Sequence, residues 1–192
     1  MAETLPLFPL ATVLLPGASL GLRVFEARYL DLVRECGRSG RGFGVSLILE
    51  GREAGAPALP AAVGTEAVIE DFDTDTDGLL TLRVRGARRF RAGRMRVRDN
   101  GLQVADVDWL EEPTPQPLRP EHAPLITVLR HVLERSGSEH AGAPGARFWE
   151  ADWVSWRLAE LLPMANAERQ ALLQLDDPHA RLERLLDLAE SG

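Results

Sequence analysis

Lysine is absent from this sequence: all 22 basic residues of its 192 are arginine. A Walker A site, a Schiff-base site and a Ser-Lys dyad each need an amine that the permanently charged guanidinium cannot replace, so those chemistries are excluded. Cysteine is nearly absent as well. Cys36 stands alone, which rules out an internal disulfide or a multi-cysteine zinc site and fits a reducing, cytoplasmic setting. Its place in a helical pattern reads as a small apolar side chain rather than a catalytic thiol. No long apolar run occurs either. The opening segment through Gly17 lacks a basic stretch and is broken by Pro6, Pro9 and Pro16, so it is neither a signal peptide nor a spanning helix. An excess of positive charge is also missing. A net charge of −7 gives no global attraction to nucleic acid or to an anionic membrane, and no membrane partner is expected.

What is present divides into two parts. Leu5 to Leu10 and Ser19 to Val24 read as strands separated by the turn signal Leu15-Pro16-Gly17. A helix follows, with Tyr29, Leu32, Val33 and Cys36 on one face and Gly37 as its expected stop. Strand patterns resume at Phe43 to Leu49, Val63 to Phe72, Leu79 to Val84, Ala87 to Val97 and Leu102 to Leu110. Asp99-Asn100-Gly101 joins the last two as a hairpin turn, in which Asn100 and Gly101 are expected to supply the positive φ angles a tight hairpin needs. The segment 111–120 holds four prolines and reads as an extended linker. Helical spacing then dominates: Leu125, Val128, Leu129, Val132 and Leu133 form one face, and Trp149, Trp153 and Trp156 form an aromatic ridge. Asn166 is placed to cap a helix through Leu173, and Asp177-Pro178 to open the last one. The expectation is an α+β chain, β-rich over 1–115 with one inserted helix and helical over 116–192.

Candidate sites are few. DFDTDTDG (71–78) resembles the start of a calcium loop, but counting from Asp73 its twelfth position is Val84 instead of the closing glutamate, and strand patterns flank it; Asp77-Gly78 reads as a hairpin tip. His122, His131, His140 and His179 are scattered without ligand spacing, so neither a metal nor another cofactor is expected. Ser46 and Ser155 lack a nucleophile elbow and a base, and no catalytic residue is assigned. The eight arginines from Arg83 to Arg98 are the strongest polar feature. Arg83 and Arg85 share one strand face, as do Arg94, Arg96 and Arg98, and such a face can hold phosphates. Phe90 is the only aromatic among them, whereas Glu66, Glu70, Asp71, Asp73 and Asp75 offer carboxylate partners. A salt-bridged sheet face is therefore preferred to an RNA interface, which stays as the alternative.

Taken in order, LPLFPL (5–10), LLPG (14–17), LRVFEARYLDLV (22–33), GFGVSLI (42–48), VGTEAVI (63–69), DGLLTLRVRGARRFR (77–91), VSWRLAELLPM (154–164) and LLQLDDPHARLERLL (172–186) resemble the amino-terminal domain family of the ATP-dependent Lon protease, in a free-standing form. The resemblance implies a PUA-like pseudo-barrel followed by a helical bundle, and recognition of unfolded or tagged polypeptides. The family's ATPase and Ser-Lys protease parts have no counterpart in the sequence, so a binding module rather than an enzyme is expected, and the sequence implies no particular oligomeric state. Peptide capture is expected in a groove between the β part and the helices. Among the motif residues, Pro16, Gly17, Phe25, Glu26, Arg28, Tyr29, Phe43 and Gly44 read as structural. Phe25 and Tyr29 are expected to pack together beneath the sheet, and Gly42 and Gly44 to permit close approach around Phe43.

Overall fold

The computed structural model describes residues 3–192; Met1 and Ala2, at the head of the apolar opening segment, lie outside the described residues. Two compact units part between Glu111 and Glu112. The first contains β1 (Glu3–Leu10), β2 (Ser19–Val24), α1 (Ala27–Ser39), β3 (Phe43–Glu50), β4 (Leu59–Pro60), β5 (Val63–Thr74), β6 (Leu80–Val97) and β7 (Gln103–Trp109). Its sheet runs β1-β7-β6-β5-β3-β4, and a parallel pairing of β1 with β3 closes five strands into a barrel. β2 and β4 are appended outside that ring.

The barrel closes around a small set of side chains. Leu5, Leu7, Phe90, Ala92, Ala105 and Val107 form its buried cluster, with the Trp109 ring edge-on to Phe90 at 6.3 Å. Space there is so tight that β3 and β5 must pass as glycine. A Cβ on Gly44 would lie 2.7 Å from Leu7 and 2.8 Å from Phe90, and one on Gly64 would lie 2.5 Å from the Val45 carbonyl. The outer face of β1 is covered by α1, where Tyr29 stacks on Phe8 with ring centroids 3.9 Å apart. β1 is thus buried on both faces from Leu5 onward, which explains its continuous rather than alternating apolar pattern.

Three local expectations change. Leu79–Val84 and Ala87–Val97 are not separate strands but one strand of 18 residues, β6. Gly86 lets it pass close beneath the Leu15-Pro16-Gly17 turn: its N–H donates to Ala18, its carbonyl accepts from Gly17, and a Cβ would strike the Leu15 carbonyl. α1 runs through Gly37 and stops at Gly40, whose φ of 70° and N–H bond to the Cys36 carbonyl make the C-cap. Between β6 and β7 only Gly101 takes a positive φ. Asn100 instead accepts the Leu102 N–H on its side chain, so the turn uses one left-handed residue rather than two.

The second unit is helical: α2 (Ala123–Ser136), α3 (Ala151–Leu161), α4 (Asn166–Leu173) and α5 (Pro178–Ser191), with short 3-10 turns before α2 and α3. Asp177 caps α5, accepting the His179 N–H at 2.9 Å, and Pro178 follows at the first turn. Asn166 is not a cap. Ala165 holds that position without a side-chain bond, and Asn166 is the first helical residue. The tryptophan ridge is also shorter than expected, because Trp149 lies in the 3-10 turn and is exposed, while Trp153 and Trp156 belong to α3. α5 is tied to α3 by Arg181, which is fully buried. Its guanidinium donates to Asp152 at 2.9 Å, to the Ser155 hydroxyl at 3.1 Å and to the Leu175 carbonyl at 2.7 Å, and lies over the Trp156 ring at 3.7 Å. Burial pushes the Asp152 carboxyl up and Arg181 opposes that rise.

Candidate functional site

The motif Phe25-Glu26-Ala27-Arg28-Tyr29 sits where β2 gives way to α1. Three of its residues build structure. Arg28 is buried, donates to the Gly101 and Glu53 carbonyls at 3.3 Å each, pairs with Glu26 and lies over the Tyr29 ring at 4.7 Å. One guanidinium thereby ties the 50–55 loop and the β6–β7 turn to the start of α1. Glu26, at the N-cap position, turns its carboxylate to Arg28 and to the Gly55 N–H rather than to its own helix. Tyr29 rests on Phe8, and burial raises its hydroxyl pKa.

Phe25 differs. It is 59% exposed, and it does not pack beneath the sheet with Tyr29. Its ring stands at the mouth of a groove of about 380 Å³, floored by Phe8, Leu10, Leu22 and Tyr29 and walled by Leu20, Gly21, Thr12 and Ala54. The charged groups at its rim are engaged within the protein. Arg23 pairs with Asp75 at 2.8 Å and Asp77 at 3.3 Å, and the Glu53 carboxylate accepts the Ala11 N–H at 2.8 Å. The groove therefore presents apolar surface framed by charges that already have partners. Other large exposed apolar side chains, among them Leu49, Leu59, Phe72 and Val97, do not line it.

The remaining motif residues hold the frame. Pro16 and Gly17 form the turn over β6, with Gly17 at φ 78°. Phe43 is fully buried and lies 6.0 Å from Phe8, with Gly44 beside it in the barrel wall. Leu20, Leu22 and Leu10 were legible as strand residues, but nothing in their spacing marks them as groove residues.

The arginine stripe is mostly neutralised. Arg85 pairs with Glu70, Arg88 with Glu66, Arg96 with Asp106 at 3.1 Å and Arg98 with Glu35 at 2.7 Å. Arg88 also stacks over Trp109 at 3.7 Å, and Arg89 is fully buried. The Arg98 bond holds the Glu35 carboxyl below its ordinary value. Arg83 and Arg94 are exposed, and Arg83 lies opposite Asp71 in the β5–β6 register. Two of the partners, Glu35 and Asp106, come from α1 and β7, beyond the acidic run that the sequence singles out. Such a face, paired in place, does not favour RNA.

The hairpin tip 75–78 is equally occupied with itself. Asp75 accepts the N–H groups of Asp77 and Leu79, and the bond from Leu79 is the main cause that lowers its pKa. Among the described residues no cluster of three or more His, Cys, Asp or Glu side chains is arranged to hold a metal ion. Ser46 is buried in β3, in a unit whose sequence contains no histidine. Ser155 donates to the Asp152 carbonyl and accepts from Arg181, a structural role. The Cys36 thiol is pushed up to about 11 by burial, which makes it a poor nucleophile. Among the described residues no helix is long and apolar enough to cross a membrane.

These features can be set beside known proteins. No curated protein matches the chain. A crystal structure of a Lon N-terminal domain protein from Xanthomonas campestris is 56% identical, with a TM-score of 0.82 over 96% of this chain and 98% of that one. The N-terminal domain of Mycobacterium avium complex Lon protease, at 20% identity and a TM-score of 0.70 over 96% and 97% of the two chains, shares the fold. The family described as the ATP-dependent protease La (LON) substrate-binding domain matches residues 4–191. With the match spanning the barrel and the helices alike, the chain belongs to the LON substrate-binding domain family.

Proposed function

We propose that the protein is a non-catalytic polypeptide-binding module of the cytoplasm, and that the groove beside β2 and α1 takes up apolar segments of unfolded or tagged polypeptides. The observation that carries this reading is Phe25, a large apolar side chain left 59% exposed at the mouth of an apolar groove. Burying such a ring contributes roughly 1.5–3 kcal/mol, and aromatic anchors of this kind dominate binding energies. The family's description as a substrate-binding domain supports the same direction. Without lysine the sequence has neither the phosphate-binding lysine of an ATPase nor the dyad lysine of a Ser-Lys protease.

Fluorescence polarisation with a labelled, permanently unfolded protein tests this. Saturable binding that changes little between low and moderate salt is expected, because apolar capture releases few counterions. Phe25→Ala should weaken it about tenfold while leaving the melting temperature unchanged. Equal binding by wild type and variant would remove the groove from consideration.

A further inference from the structure

β2 pairs with β6 along one edge, and among the described residues no strand pairs with its other edge. The phase of the ladder fixes which backbone groups face outward. Gly86 of β6 donates to Ala18, and bonded pairs of an antiparallel ladder recur at every second residue. The bonded pairs are therefore Leu20 with Val84, Leu22 with Leu82 and Val24 with Leu80, following the register of the two strands. The β5 side agrees: Asp75 donates to Leu79, so over the part of β6 that pairs with β2, residues 80–85, the odd-numbered residues face β5 and the even-numbered ones face β2. Ser19, Gly21 and Arg23 accordingly turn their N–H and C=O groups away from the sheet. All three residues are exposed, and those groups have no hydrogen-bond partner among the described residues.

This open edge is also a wall of the groove, since Leu20, Gly21, Leu22 and Arg23 all line it. Edge strands are commonly protected by proline, by an inward charge or by a bulge. β2 has no proline, and its one charge, Arg23, is drawn onto Asp75 and Asp77. At its centre Gly21 leaves space: a Cβ there would meet nothing within 4 Å.

Resting on the polypeptide-binding reading above, we infer that the occupant binds as an added β-strand, hydrogen-bonded to the outward groups of Ser19, Gly21 and Arg23. Strand addition takes affinity from the main chain and specificity from alternate side chains. Residues of the incoming strand opposite Leu20 and Leu22 share their face and enter the groove toward Phe8, Phe25 and Tyr29, whereas the residue opposite Gly21 points away. The preferred ligand is an uncharged extended segment with apolar residues at every second position, not an amphipathic helix with apolar residues three and four apart.

The test uses the full chain and a short labelled peptide alternating valine with threonine, beside an isomer of the same composition with helical apolar spacing. Tighter binding of the alternating peptide is expected. N-methylation of the amides that face β2 should weaken it about tenfold, and methylation of the intervening amides should not. Gly21→Pro removes the central outward N–H at an edge position where proline is tolerated and should weaken binding similarly, whereas Gly21→Ala should bind like wild type. The methylated peptides give the same readout if the proline variant fails to fold. Should Phe25→Ala lose binding while both methylation phases and Gly21→Pro leave it intact, strand addition is overturned and the groove reading stands. Absence of saturable binding of either peptide to wild type overturns both. Concentration-dependent dimerisation of the free protein, abolished by Gly21→Pro, would assign the edge to a second copy of the chain and overturn the peptide reading.

Discussion

Each unit of this protein buries arginines, and one from each, Arg181 and Arg28, is used differently. In the helical unit Arg181 is enclosed, donates to a carboxylate, a hydroxyl and a backbone carbonyl, and stacks on Trp156. In the barrel unit Arg28 reaches outward from the start of α1 to two loop carbonyls, and Phe25 three residues earlier is left in solvent. One guanidinium holds helices together. The other braces loops around an open apolar groove. A buried charge is thus a poor guide to function by itself, and what its partners enclose is the informative part.

Removing Arg181 gives the largest expected break in this contrast. Arg181→Ala strands Asp152 without its partner and leaves a void beside Trp156, a loss on the order of 3–5 kcal/mol. Tryptophan fluorescence during urea unfolding should show it, with peptide binding by the barrel retained when unfolding of the helices is local. Gly64→Ala acts on the other unit. Its Cβ would press on the Val45 carbonyl and the Phe90 ring, and overpacking of this kind costs about 1–3 kcal/mol. Here the melting temperature and peptide affinity should fall together, because the groove is built on the barrel.

Removing the α5 cap is milder: Asp177→Ala should cost about 1 kcal/mol, measurable by the urea midpoint and without effect on binding. The smallest effect expected is a pH dependence confined to the helical unit. His122 and His179 are buried with ring centroids 5.9 Å apart, and the Nδ1 atom of each lacks a partner. Burial, reinforced by Arg119 and by His122 and opposed by Asp177 and Glu121, lowers the His179 pKa; the nearby Asp152 carboxylate also faces it. A histidine held neutral takes up its proton more readily in the unfolded chain. Stability is thus fully present above about pH 6.5, the ordinary histidine value, and declines as the pH falls toward and through the lowered value. Thermal melts across that window should show the slope, and His179→Gln should flatten it; a wild-type profile without slope would contradict the assignment.

Much of the architecture was readable because it rests on local rules. Pro16-Gly17, Asp77-Gly78 and Asp177-Pro178 each mark a boundary through backbone preferences that tertiary contacts do not override. The junction at Gly86 was misread as a break because a glycine in a strand signals either an end or a close approach, and the choice depends on the Leu15 carbonyl far away in sequence. Gly37 was likewise a plausible stop, yet the apolar face of α1 carries the helix one turn further, to Gly40. The groove was the least legible feature. Phe25 has the composition of a core residue, and its exposure follows from where β2 ends relative to α1, which periodicity does not encode. The partners of Arg96 and Arg98 were hidden because Asp106 lies diagonally across the β6–β7 hairpin, where the exact register decides the pairing, and Glu35 lies on α1, far away in sequence.

The length of β6 has a mechanical consequence. Its first half pairs with β2, and its second half pairs with β7 inside the barrel. A load applied along β2 passes into a strand that continues, without a joint, into the closed ring. The six residue pairs of β2 with β6 then resist it in shear, together rather than one after another, so the strand with the open outer edge is also anchored to bear tension.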